Sequence, residues 1–262
     1  MIEVYHWEPN SHQAKPMMVL NEKGVPFVSH YVDILKLEHV APEYLAKCPT
    51  GQVPAVFEGG RLLHPAETLA EATDFCEYID ERFPDPPLRP REPEARWRMR
   101  WWSAFMDHYF SPSLSILAWK HYMGPTIRER YSMAALEDYL TRIPKADTFM
   151  HWNTAIHDLF TEDQLADARR RVEGGIEEIE SALGKRPYLA GADYSIADIV
   201  VFATIYAFPL TNPELSDDAT TPHVFDWLRR IHARPAIKQT FALSRMRIGD
   251  RVLQMHKLLG LD

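Results

Sequence analysis

The sequence predicts an α/β domain followed by an all-helical domain, and three observations carry that reading. The first third alternates strand and helix signals in the order strand, helix, strand, turn, hairpin, helix. A proline-dense stretch over residues 83–93 then interrupts the pattern. Everything beyond it carries helical periodicity. We therefore expect one domain over residues 1–83, a stiff linker over 84–93 and a helical domain over 94–262.

Each element has a local cause. Ile2-Glu3-Val4-Tyr5-His6-Trp7 alternates with the period of a half-buried strand. Glu8-Pro9-Asn10-Ser11-His12 is a turn leading into a helix through residue 23, closed by Gly24. Pro16 is tolerable only in a first turn, which sets the helix start close to Ser11–Gln13. Residues 27–34 alternate as a second strand, and residues 42–47 make one or two helical turns. Residues 54–57 and 61–63 form a hairpin across Glu58-Gly59-Gly60. A last helix follows near Glu71-Ala72-Thr73-Asp74-Phe75-Cys76-Glu77-Tyr78-Ile79. This order matches a thioredoxin-like domain.

The stretch Thr50-Gly51-Gln52-Val53-Pro54 organises that domain. Pro54 cannot donate to a sheet ladder, so it belongs at a strand start or a tight turn, where a cis bond is feasible. The Val53 N–H and C=O are then free to pair with an extended peptide. Glu71 stands where a helix begins, at the end that attracts carboxylates. Taken singly, a proline-started edge strand and an acidic first turn account for both halves.

In the helical part, residues 94–123 are long and rich in Trp, Tyr, Phe and Met. Further helices are expected over 133–143, 162–183, 195–208 and 223–233, with a tail after Pro235. Ser195-Ile196-Ala197-Asp198 is a capping box whose role is folding.

Composition excludes several classes. The chain has 262 residues, 46% hydrophobic and 25% charged, which is ample for a core. No apolar run approaches the roughly 20 residues that span a membrane. Met1-Ile2-Glu3-Val4 lacks the features of a signal peptide. Cys48 and Cys76 are the only cysteines, so a disulfide framework is excluded and a cytoplasmic, reduced setting is expected. The net charge of −8 argues against nucleic acid. The His are scattered without metal-ligand spacing, so no metal site is expected.

Gly51-Gln52-Val53-Pro54-Ala55, Cys76-Glu77-Tyr78-Ile79, the aromatic step Asp107-His108-Tyr109-Phe110 with Trp119, Ser195–Asp198 and Ala233-Arg234-Pro235-Ala236-Ile237-Lys238 together resemble the glutathione S-transferases. Within that superfamily the match resembles the bacterial β-aryl etherases that cleave lignin-derived β-O-4 dimers. It runs from Val4 to about Pro235. It implies the GST fold, glutathione as co-substrate, and a thiolate that displaces a phenolate at the carbon next to a ketone. It also implies pairing of subunits, like with like or with a related subunit.

The resemblance assigns glutathione binding to Gln52, Val53, Pro54, Glu71 and Ala72, with a cis Val53-Pro54 bond. The loop it points to puts Ser11 or His12 near the sulfur, with the thiolate stabilised by His12 as an imidazolium or by the Gln13 amide N–H. An ordinary reading has Ser11 capping the helix and His12 in a solvated turn. Met106, Tyr109 and Ser113 are candidates for an aryl pocket, although such a stripe is commonly core. This sequence departs from the family at Ala72, where a hydroxyl is usual, at His12-Gln13, where the etherases carry Asn-Ser, and in a long connector over 61–70. An alternative register uses Glu67-Thr68 as the acid–hydroxyl pair. The departures keep open a second reading, a weakly active or non-catalytic supporting subunit.

Overall fold

The computed structural model describes residues 1–66, 68 and 71–261. Strand β1 (Ile2–His6) pairs in parallel with β2 (Phe27–Tyr31), and α1 (Ser11–Glu22) makes the crossover. The one-turn helix α2 (Pro42–Leu45) precedes the Val53-Pro54 turn, whose peptide bond is cis. β3 (Ala55–Glu58) then runs antiparallel to β1, and β4 (Arg61–His64) antiparallel to β3. The sheet order is β2-β1-β3-β4. Helix α3 (Ala72–Arg82) lies beside α1. The alternative register at Glu67 falls outside the described residues.

This topology gathers the informative segments at one end of the sheet. Tyr5 stands opposite Ala55, so the loop after β1 and the turn before β3 are neighbours. Gly51 in that turn has φ +64°, and an added Cβ would stand 3.2 Å from the His39 carbonyl oxygen. A side chain there would be strained by the left-handed backbone and would crowd the His39 carbonyl.

The helical part begins with Pro93 in the first turn of α4 (Pro93–Phe105). The helix runs on through a π-helical turn, Met106–Phe110, into α5 (Ser111–Ala118). A second π turn, Trp119–Met123, leads into α6 (Gly124–Arg130). Pro112 and Pro125 each follow one of these bulges. A proline cannot donate to the helix ladder and crowds the carbonyl four residues back, and the widened turn accommodates it.

Next come α7 (Met133–Thr141), α8 (Ala146–His157), α9 (Glu162–Leu183) and α10 (Ile196–Ile205). Then follow α11 (Phe208–Thr211), α12 (Pro222–His232), α13 (Pro235–Phe241) and α14 (Arg247–Leu259). α8 adds to the expected set, and the expected helix over 195–208 divides into α10 and α11.

One apolar cluster joins Val4, Met17, Phe75, Ile79, Trp102, Phe202 and Trp227, so α1, α3 and α10 share a core. A second joins Val53, Tyr44 and Val40 to Tyr139, Ile143 and Trp152. α10 opens on the expected capping box of Ser195 and Asp198. The Asp198 carboxylate also accepts from Leu189 N at 3.1 Å and from the Trp227 indole at 2.8 Å. Among the described residues no helix is long and apolar enough to cross a membrane.

Candidate active site

The candidate site forms where the loop after β1, the Val53-Pro54 turn and the start of α3 converge. The turn is held from below: the Tyr44 hydroxyl donates to the Gln52 carbonyl at 2.6 Å. Gln52 is half-buried, and Val53 and Pro54 are buried.

Two side chains of the loop reach the Val53 carbonyl. Gln13 donates its amide at 2.8 Å, while its own carbonyl accepts from Trp7 N at 3.2 Å. His12 donates its Nε2–H to the same oxygen at 3.2 Å. Gln13 is thus a buried brace with both ends engaged, one amide N–H being spent on the Val53 carbonyl.

The imidazolium expected at His12 is corrected. The residue keeps accessible surface. Loss of water, then the nearby Lys15 charge, push its pKa down to about 4. At neutral pH the ring is a neutral donor.

Ser11 opens α1 with φ +48°, a left-handed conformation unusual for a residue with a Cβ. The cap position belongs to Asn10, without a side-chain bond, so Ser11 does not cap the helix. One turn on, Lys15 is only 3% exposed. Its ammonium pairs with Asp107 of the first π turn and bonds Thr73 Oγ1 at 3.1 Å. This cation ties α1 to α3 and to the helical part.

Glu71 is the N-cap of α3, exposed, in a reciprocal capping box with Asp74. Ala72 follows as the first helical residue and is 4% exposed. A carboxylate and open helix N–H groups therefore stand together at the start of α3.

The proposed aryl pocket does not assemble. Met106 is fully buried in the shared core. Ser113 is buried and donates to the Tyr109 carbonyl at 2.7 Å. Tyr109 keeps surface, but it stacks on Phe105 with the Arg171 guanidinium 5.2 Å from its ring centre. Met106 is taken by the core, and beyond the π turn the wide turn shifts the helical phase, so a stripe drawn at 3.6 residues per turn misplaces Ser113.

Two surface concavities lie elsewhere. One of about 380 Å³ is lined by Asp80, Arg89 and Arg96, and one of about 280 Å³ by Ile116, Met150 and His151. A peptide laid along a turn needs an edge rather than a hole, so convergence of segments marks the site better than volume. Among the described residues no cluster of metal-ligating side chains occurs.

The glutathione S-transferase N-terminal domain matches residues 11–82, and the C-terminal domain of the same family matches 162–230. Protein LigF of Sphingobium sp. strain SYK-6 is 31% identical over 250 residues, covering 93% of this chain and 94% of that protein. The chain belongs to the glutathione S-transferase family. The crystal structure of the β-etherase LigF matches this transferase with TM-score 0.85 and 30% identity, over 93% of this chain and 99% of that one. Glutathione S-transferase 3 of Zea mays is 25% identical over 92% of this chain and 93% of its own. A homologue from sulfitobacter, solved with bound glutathione, shares 20% identity at TM-score 0.63, over 91% of this chain and 96% of that one. At that identity the likeness is one of fold.

Sequence reasoning missed two parts of this transferase's site. Lys15, Thr73 and Asp107 come from three separate elements, and only the charged Lys beside Pro16 hinted at a buried role. Glu8, 2% exposed, accepts from the Tyr31 hydroxyl at 2.8 Å, from Ser244 Oγ at 2.6 Å and from Arg245 N at 2.9 Å. In a Glu-Pro-Asn-Ser turn it reads as solvated.

Proposed function

We propose that this transferase catalyses glutathione-dependent cleavage of a β-aryl ether next to a ketone. The glutathione thiolate attacks the carbon beside the carbonyl, a carbon–sulfur bond forms, and the carbon–oxygen bond breaks. The phenolate departs with the electron pair and takes a proton from water. The observation that carries the reading is the kinship with LigF, a β-etherase, along nearly the whole chain.

The chain's residues suit the parts. The Val53 N–H pairs with the cysteinyl unit beside the cis-Pro54 turn, and Gln52 flanks it. The Glu71 carboxylate and the N–H groups around Ala72 hold the charged γ-glutamyl end. Ser11, held in its left-handed turn, is the hydroxyl donor nearest the sulfur, and His12 is a second, neutral donor. A free thiol is only a few per cent ionised at neutral pH, so donors that favour the anion supply part of the rate. Orientation beside an already activated carbon supplies much of the remainder. A cytoplasmic setting with millimolar thiol suits such chemistry. Subunit pairing follows from the aromatic face of α4, where Trp97 and Trp101 are 64% and 38% exposed. Sedimentation as a monomer at micromolar concentration would remove the pairing.

The occupied Val53 carbonyl favours a second reading, a supporting subunit of an unlike pair. The deciding experiment supplies the purified chain alone with glutathione and an α-keto β-aryl ether, and follows phenol release. Release that rises with pH as the bound thiol ionises is expected. No release alone, with release on adding a related subunit, selects the second reading.

A further inference from the structure

The backbone beside cis-Pro54 is unequally satisfied. A carbonyl oxygen has two lone pairs, and at Val53 both are filled, by Gln13 at 2.8 Å and His12 at 3.2 Å. The Val53 N–H, in contrast, has no acceptor among the described residues. A peptide laid along this edge needs both groups, one to donate to it and one to accept from it. As it stands, the edge offers only the donor.

The two side chains on the carbonyl are not equivalent. Gln13 is 5% exposed and also bonds Trp7 N, so leaving would break a second hydrogen bond in a buried place. His12 is exposed, its bond is the longer, and Val53 O is its one hydrogen-bond partner among the described residues. Its ring N–H can exchange that bond for one to water.

We propose that His12 is a placeholder that fills the second lone pair of Val53 until the amide N–H of an extended, peptide-like thiol takes it. Gln13 stays, and the imidazole swings aside. This rests on the glutathione reading above and makes His12 a specificity residue. Ligands with an amide N–H beside the sulfur contest the bond, while small thiols without one do not. The exchange lowers affinity, because every binding event breaks the His12 bond. It also frees the ring N–H on the same loop as Ser11.

The test is calorimetric titration of the full chain with S-methylglutathione, which has the amide groups but no ionisable thiol. His12→Ala should bind it about 2- to 10-fold tighter than the native chain, the worth of one exposed hydrogen bond. In the native chain the His12 ring nitrogen signals should move on saturation while the Gln13 side-chain amide stays put. If the native chain binds and the variant binds equally or more weakly, or if the His12 signals do not move, the placeholder is overturned and the glutathione reading stands. Absence of binding by both proteins overturns the glutathione reading, and the placeholder with it.

Discussion

Removing the Asp107 carboxylate should unsettle the whole transferase, and the size of the effect follows from burial. Lys15 is 3% exposed, and its partner Asp107 is 12% exposed. Asp107→Ala leaves an ammonium in the interior with the Thr73 hydroxyl as its remaining partner. Breaking a buried pair by deleting one member costs about 3–5 kcal/mol. Because water reaches the Asp107 side, the lower end applies, about 3 kcal/mol, or a factor on the order of 150 in the folding equilibrium.

Urea unfolding followed by tryptophan fluorescence measures it as a fall in midpoint at unchanged slope. The double variant Lys15→Met, Asp107→Leu removes both charges and keeps apolar volume, so it should return to within about 1 kcal/mol of the native chain. A loss below about 1 kcal/mol for Asp107→Ala, or a double variant as weak as the single one, would refute the reasoning.

Two changes at the start of α3 should act in opposite directions. Glu71→Gln keeps an oxygen for the helix cap but loses the charge, and should weaken glutathione binding by about 1.5–3 kcal/mol. Unchanged affinity in calorimetry would move the role to Glu67. Ala72→Ser restores a hydroxyl at a 4% exposed position and should tighten binding by about 0.5–1.5 kcal/mol. Weaker binding would mean that the position has no room for it.

The pH dependence of stability combines opposed contributions. Burial pushes Asp198 up to about 6, so its contribution is present below about 4 and is lost as pH rises through about 6. Burial pushes His39 and His232 down to about 4, so theirs is present above about 6.5 and is lost as pH falls through about 4. Asp198→Asn should therefore steepen the loss of stability between pH 6 and 4 by about 1.4 kcal/mol per pH unit, one proton's worth. An unchanged slope of urea midpoint against pH would count against Asp198 as the titrating group.

Local punctuation made the fold legible. Pro54 marked a strand start, Gly59-Gly60 a hairpin, and Ser195 with Asp198 a helix start, because each acts through the backbone within a few residues. The π turns were not legible, since nothing at Met106–Phe110 forbids an ordinary turn until Pro112 is packed against the rest of the helix. That hidden phase shift bears on Ser113, which lies beyond the turn, whereas Met106 opens the turn and is packed in the shared core. At the site, Val53-Pro54 and the placement of Glu71 at a helix start could be read directly. The direction in which Gln13 points could not, because it depends on where the loop after β1 meets a turn some forty residues on.

The loop after β1 bears on the choice between an enzyme and a supporting subunit. Glu8, Gln13 and Lys15 are all buried there, each held by partners from other elements. Glu8 reaches β2 and the segment before α14, Gln13 reaches the Val53 turn, and Lys15 reaches α3 and the first π turn. Burying two charges and an amide in so short a stretch carries a desolvation cost that packing alone does not require. What it secures is the position of Asn10, Ser11 and His12, the residues between the braces that keep accessible surface. The family departures at His12, Gln13 and Ala72 thus change which donors meet a ligand, and Gln13, itself one of the departures, serves as a buried brace of the frame that presents them. A rigid frame around altered donors is the arrangement of a working site with a changed contact set, and on that ground the enzyme reading stands ahead of the supporting one.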